Sequence, residues 1–216
     1  MLNITRPHLD ESENLLRFST EKLQVKGEYV GVLCRENDWC DQSVSGVRFE
    51  TAVFARARLM RTKMRDIALR DVAITNCDIS NSDWTGASFQ CVEVSSTRLT
   101  GLNGSEGQYR DVVFQRCTAK YAVFLSSRFE RCRFEQCDLS DATFESGTLK
   151  NVAFRNCDLT DVRFSAATLT DIDLRGSRIE GIQIDVRSLR EVTIDVLQTT
   201  EIAAITGARL RPLNEA

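Results

Sequence analysis

The chain has 216 residues, 27% charged and 42% apolar, with a formal net charge of −3, which excludes an intrinsically disordered chain. No apolar run approaches the ~20 residues that a bilayer-spanning helix needs. The opening stretch Met1 to Pro7 lacks the apolar core of a secretion signal, so a cytoplasmic location without a membrane partner is expected.

Residues 1–28 carry no clean periodic register and read as an irregular lead-in, with Met1 to Glu13 expected to be mobile. Gly27-Glu28-Tyr29-Val30-Gly31 and Glu36-Asn37-Asp38-Trp39-Cys40 look like degraded copies of the repeat that follows.

From Val44 to Ile194 the chain repeats every five residues. Of the 31 positions in this series 30 are apolar or aromatic, against 6 of 31 for the position just before each. Two residues before each large position the side chain is usually small or β-branched, as at Val47, Ala52, Ala87, Val112 and Ala142. A period of five fits neither an amphipathic helix nor a strand, so the chain must turn a corner once per unit. One large and one small inward slot per unit make successive units the sides of a coil, and stacked coils bury a continuous column. Ten of the eleven Phe residues occupy the large slot, and both prolines, Pro7 and Pro212, fall outside the repeat. Five of the eight cysteines, Cys77, Cys117, Cys132, Cys137 and Cys157, occupy the small slot as compact apolar side chains. No Cys-x-x-Cys pair exists and the sole histidine is His8, so zinc is not expected.

One stretch, Gly101 to Gln108, loses the pattern, with glycine in a large slot at 104 and in a small slot at 107. The empty slots are expected to bend the coil or let a short loop bulge out, a harmless packing defect being the alternative. At the C-terminal end Asp195 and Gln198 form a capping-box pattern and Gly207 is a C′ residue, which predicts a helix near 196–206. Val196, Leu197, Thr200, Ala203 and Ala204 share one face of it, and Ile202 and Ile205 lie on the other. One face can close the coil stack while the other meets a second subunit, with Ala208-Arg209-Leu210 pairing across the join. In the alternative, both faces pack within one chain. The organisation is therefore a lead-in over 1–28, a repeat body over 29–195, and a capping and dimerisation segment over 196–216.

Units such as Cys137-Asp138-Leu139-Ser140-Asp141, Ala142-Thr143-Phe144-Glu145-Ser146 and Cys157-Asp158-Leu159-Thr160-Asp161 resemble the consensus of the pentapeptide-repeat family. The resemblance covers about residues 42 to 196. It implies an all-β fold, a right-handed quadrilateral β-helix of about eight coils, twenty residues each, with a C-terminal capping helix; at ~4.8 Å between stacked strands the rod is roughly 35–40 Å long. Residues twenty apart then stack, and Asp138, Asp141, Asp158 and Asp161 form one acidic cluster. Toward the N-terminal end the sign reverses, since residues 44–66 hold Arg48, Arg56, Arg58, Arg61, Lys63 and Arg65 against Glu50 and Asp66.

No nucleophile–His–carboxylate set, phosphate-cradling loop or His-Glu-x-x-His motif is present, so no catalytic residue, metal or cofactor is expected. Members of the quinolone-resistance type form acidic, rod-like dimers that occupy the DNA-binding saddle of DNA gyrase or topoisomerase IV. By that resemblance the chain is a non-enzymatic homodimer that protects such an enzyme from inhibitors such as fluoroquinolones by partial DNA mimicry. Its partner would meet Asp138, Asp141, Asp158 and Asp161 with Gly104, Ser105 and Glu106, and the subunits would join through Leu197, Ile202, Ile205 and Leu210. A general protein–protein interaction scaffold with an unrelated client is the alternative. A third reading, nucleic-acid binding through the Arg-rich first coils, lacks interleaved aromatics on the outer positions.

Overall fold

The corner in each five-residue unit is a left-handed backbone residue. In the computed structural model, which describes residues 3–9, 15–18 and 22–208, every fifth residue from Gly31 to Gly181 has φ between +49° and +77°. Only six of these corners are glycine; the others include Thr51 at φ 50° and Tyr121 at φ 58°. A left-handed residue with a Cβ costs about 1–2 kcal/mol, so packing and hydrogen bonding between coils must outweigh a recurring penalty.

The strands are β1 (Leu16–Arg17), β2 (Glu28–Arg35), β3 (Ser43–Ser45), β4 (Arg48–Ala55), β5 (Lys63–Arg65), β6 (Ala68–Thr75), β7 (Ser88–Ser95), β8 (Gln108–Gln115), β9 (Arg128–Glu135), β10 (Thr148–Arg155), β11 (Thr168–Asp173) and β12 (Val192–Thr193). Ten of them form one parallel sheet in the order β1-β2-β4-β6-β7-β8-β9-β10-β11-β12, and β3 pairs with β5 on another side. Partners are twenty residues apart, as in Glu28↔Arg48 and Gln108↔Arg128. The remaining sides advance by the same step through single bridges such as Thr118↔Asp138 and Asp138↔Asp158. The result is a β-solenoid of about nine turns, where about eight were expected. The difference lies at the N-terminal end: the degraded units at Tyr29 to Trp39 are a working coil, with β2 in full register on β4 and with Cys34 and Trp39 completely buried.

The core is the predicted continuous column of large inward side chains, in which phenylalanines stack from coil to coil. Phe124, Phe144 and Phe164 stack with ring centroids 5.2 Å apart at each step, and Phe114, Phe134 and Phe154 stack at 4.6 and 5.0 Å with nearly parallel planes. The five small-slot cysteines are buried and all eight cysteines are free. Burial pushes the Cys34 and Cys132 thiols up to about 12 and Cys77 to about 11, which keeps them protonated and inert.

The stretch at 101–108 neither bulges nor bends out of register. Gly101, Gly104 and Glu106 donate their N–H groups to Lys120, Val123 and Leu125 of the next coil at 2.8 Å. Tyr109 explains this: its ring fills the space left by both glycines and its hydroxyl donates to the Gly104 carbonyl at 3.0 Å. The ring also lies 4.4 Å from Phe129 and 5.7 Å from Phe124, and burial pushes its phenol well above the ordinary value.

The C-terminal end follows the capping pattern. Asp195 accepts from the Leu197 N–H, the Gln198 side chain accepts from the Asp195 N–H, a 3-10 turn spans Val196–Gln198, and α1 (Thr199–Thr206) ends on Gly207 at φ 75°. Buried Gln198 also donates to the carbonyls of Leu174 and Ser177 at 2.8 and 2.6 Å, tying the helix to the last coil. At the other end, residues 3–9 lie against the stack, with the Thr5 and His8 N–H groups donating to Asp111 and Asp71.

Candidate interaction surface

Because every side chain has a neighbour twenty residues away, charges on this rod are arranged by coil. The N-terminal arginines face carboxylates one coil earlier: Arg56 on Glu36 at 2.6 Å, Arg58 on Asp38 at 2.8 Å, Arg61 on Asp41 at 2.7 Å and Arg48 on Glu28 at 3.7 Å. Arg65 pairs forward with Asp83 at 2.9 Å. The basic patch expected over 44–66 is therefore compensated by carboxylates that lie mostly in 28–41, and the reversal of sign along the rod does not survive folding. Most of these groups are exposed, so each pair alone adds little to stability, but together they offset much of the positive field a phosphate backbone would need.

The four aspartates are brought together as expected. Asp138 and Asp158 bridge in consecutive coils, and Asp141 and Asp161 occupy the next corner at φ 60° and 56°. Asp138 Oδ1 accepts from the Ser140 N–H and hydroxyl at 3.1 and 2.7 Å, and Asp158 Oδ1 accepts from the same groups of Thr160 at 3.0 and 2.5 Å. These carboxylates thus hold their own turns, and Arg178 approaches Asp158 at 3.8 Å. Of the trio at the glycine-rich stretch, Gly104 is buried in the core, Ser105 is partly exposed with its hydroxyl on Asn103 Oδ1 at 2.7 Å, and Glu106 is exposed.

Two residues that sequence reasoning passed over sit beside this cluster. Tyr121 occupies the same corner column as Asp141 and Asp161, one coil earlier, and is 56% exposed; Leu125 is 43% exposed. Lys120 Nζ lies 5.9 Å from the Tyr121 ring centroid. An exposed aromatic is the side chain that most often anchors a protein interface. The available signal was the one aromatic in a corner column otherwise filled by Asp41, Arg61, Asn81, Gly101, Asp141, Asp161 and Gly181.

Asp158 and Asp173 are both held below the ordinary value of 3.8. Burial opposes their charge, but hydrogen bonds from Thr160 and from Arg175, with Arg178 and Lys120 near the first and Arg155 near the second, outweigh it. A carboxyl whose pKa falls on folding contributes stability that is complete above its unfolded value and is lost as pH drops through its folded value. Thermal unfolding midpoints should hold level from pH 7 to about 5 and drop below about 4. A D158N/D173N variant should lose less over that range, and parallel curves for the two proteins would show that these turn bonds carry none of the effect.

At the C-terminal end Ile202 and Ile205 pack against the core, so that face of α1 closes the stack. Leu197 and Val196 are left 90% and 83% exposed, with Val186 at 55%. Leu210 lies outside the described residues. Among the described residues no helix is long and apolar enough to cross a membrane.

Comparison with known proteins bears on this architecture. No curated protein matches the sequence. Among solved structures the chain is similar to a trypsin-treated variant of QnrB1, a plasmid-mediated fluoroquinolone resistance protein, at 17% identity and a TM-score of 0.52, over 92% of this chain and 100% of that one. It is also similar to HetL, a pentapeptide repeat protein involved in heterocyst differentiation regulation from the cyanobacterium Nostoc sp. strain PCC 7120, at 12% identity and a TM-score of 0.47, over 76% and 86% of the two chains. At 17% identity the likeness to the first is one of fold. The family described as pentapeptide repeats in eight copies matches residues 68–101, and the one described as a pentapeptide repeat region matches 127–203. Together with the five-residue register and the twenty-residue coil, these matches place the chain in the pentapeptide-repeat family.

Proposed function

We propose that this chain is a non-enzymatic, cytoplasmic binding protein that docks as a homodimer on DNA gyrase or topoisomerase IV and protects it from inhibitors such as fluoroquinolones. The observation that carries the reading is an exposed apolar patch on the capped end of an uninterrupted rod: Val196 and Leu197, 83% and 90% exposed, project from the capping segment. Burying such a patch against its copy joins two rods end to end. The fold-level likeness to a fluoroquinolone resistance protein supports the choice of client. On each rod the partner meets Asp138, Asp141, Asp158 and Asp161, with Tyr121 and Leu125 as apolar anchors and Ser105 and Glu106 at the border.

The second reading, a scaffold with an unrelated client, is favoured by the cross-coil compensation of charge, which leaves the rod far less negative than a duplex. Residues 130–195 hold thirteen acidic side chains against nine basic ones.

A supercoiling assay with gyrase and a fluoroquinolone, titrated with the protein, separates the two. Recovery of supercoiling at micromolar protein is the expected result, and neither protection nor inhibition over that range leaves the scaffold. A D138N/D141N/D158N/D161N variant should lose at least tenfold in potency while keeping its fold; undiminished activity would make the cluster a solvated face. Independently, Leu197→Asp should convert a dimer to a monomer in sedimentation velocity without lowering the unfolding temperature by more than a few degrees. A monomeric parent protein would remove the end-to-end arrangement.

A further inference from the structure

Residues 3–9 join no coil. They run across the stack: the Thr5 N–H donates to Asp111 Oδ1 at 3.3 Å, Arg6 Nε stands 3.3 Å from Glu93 Oε1, and the His8 N–H donates to Asp71 Oδ1 at 3.2 Å. Positions 71, 91, 111, 131 and 151 are one corner column in successive coils. Three residues of the segment therefore cover two coils, about 10 Å, which is the reach of extended chain. Pro7 has no N–H to give to a strand ladder, and the segment spends its donors on carboxylates instead.

Cys91 lies in this column between the two anchors and is only 9% exposed, whereas the corner residue Tyr121 is 56% exposed. Val113, which points outward from β8 and borders the same hollow as Arg6, is 6% exposed. The segment thus covers an outer face that would otherwise be open and partly apolar. Asp111 is fixed as an acceptor by two bonds from Arg131, at 2.8 and 2.6 Å.

We propose that this corner groove is a docking site for an extended segment of a partner protein, one with an Arg or Lys to meet Glu93 and free main-chain N–H groups to meet Asp71 and Asp111. Residues 3–9 are its resident occupant and are displaced when the partner binds. They are suited to that role because two long hydrogen bonds and an ion pair whose arginine is 70% exposed hold them, so their release opens no coil. The groove also continues past Asn3 into an open depression of about 530 Å³ bordered by Arg155, Asp171 and Arg175. A longer partner segment gains contacts there that the resident one does not reach.

Alkylation of Cys91, resolved by mass spectrometry on the full chain, reads the occupancy of the groove. In a Thr5→Pro/Arg6→Glu variant Cys91 should react at least tenfold faster than in the parent, while Cys132, enclosed in the core, stays unreactive. Arg6→Glu alone is measured beside it in case the double change loosens the coils, which Cys132 would report. A synthetic peptide with the sequence Asn3 to Leu9 should slow Cys91 in the released variant in a dose-dependent way, and the same peptide with Glu for its Arg should not. Equal Cys91 rates in parent and variants, or no protection by millimolar peptide, would overturn the proposal. Protection that rises with added parent protein and no peptide would overturn the partner and make a second copy the occupant.

Discussion

A leucine at position 104, the residue type the five-residue pattern asks for, will destabilise the protein by about 3 kcal/mol. The inward slot at Gly104 is already occupied from the side. A Cβ there would run into the Tyr109 hydroxyl and stand 3.0 Å from Phe124 Cε1, before any further atoms of leucine are placed. The larger side chain must also expel the Tyr109 ring from its contacts with Phe129 and Phe124 and break its bond to the Gly104 carbonyl. For a chain of this size the unfolding midpoint should fall by roughly 6–12 °C. Shortening the tyrosine relieves the conflict, so Gly104→Leu/Tyr109→Leu should be more stable than Gly104→Leu alone, with a coupling of about 2 kcal/mol in the double-mutant cycle. Additive effects at the two positions would mean that Tyr109 is not what fills the gap.

Phe144→Ala should cost more, about 3–5 kcal/mol. Phe144 is completely buried and its ring meets Phe124 and Phe164 at 5.2 Å, Phe129 at 5.5 Å, Phe154 at 5.9 Å and Phe134 at 6.0 Å. Truncation removes one step of a stacked column and leaves a hole that the two flanking coils cannot close without leaving register. In a solenoid each coil touches only its neighbours, so the loss is local before it is global. Hydrogen exchange should quicken from β10 to α1, the shorter arm beyond the lesion, while β4 and β6 keep their protection. Uniform loss of protection along the chain would show instead that the rod unfolds as one unit.

What the sequence made legible was whatever depends on near neighbours in the chain. Large and small inward slots could be counted, and the capping box at Asp195 and Gln198 is a matter of three residues. The features that escaped depend on neighbours twenty residues away or on side-chain reach. Arg56, Arg58 and Arg61 looked like a basic patch in a short window because Glu36, Asp38 and Asp41 lay outside it. The aspartates at 138–161 lie in clean repeat units, where a twenty-residue step is visible in the sequence, whereas the units at 28–41 are too degraded to show it. A glycine in a large slot read as a defect because Tyr109 reaches it from the slot five residues on. The helical wheel gave α1 two apolar faces without saying that Ile202 and Ile205 belong to the inner one. Residues 3–9 follow no period because they cross the coils rather than forming one.

The left-handed corner at every fifth residue makes the molecule a dial with four stops. Removing five residues from the repeat would leave each inward slot filled by the right kind of side chain, yet everything beyond the cut would arrive a quarter turn away. Tyr121 and the aspartates after it would then face a different side from the groove under Arg6. Only a change of twenty residues restores the alignment. Length can therefore vary in this fold by whole turns without rewriting the surface, whereas shorter insertions and deletions act as rotations, altering which partners can be held on one side while the core stays as it was.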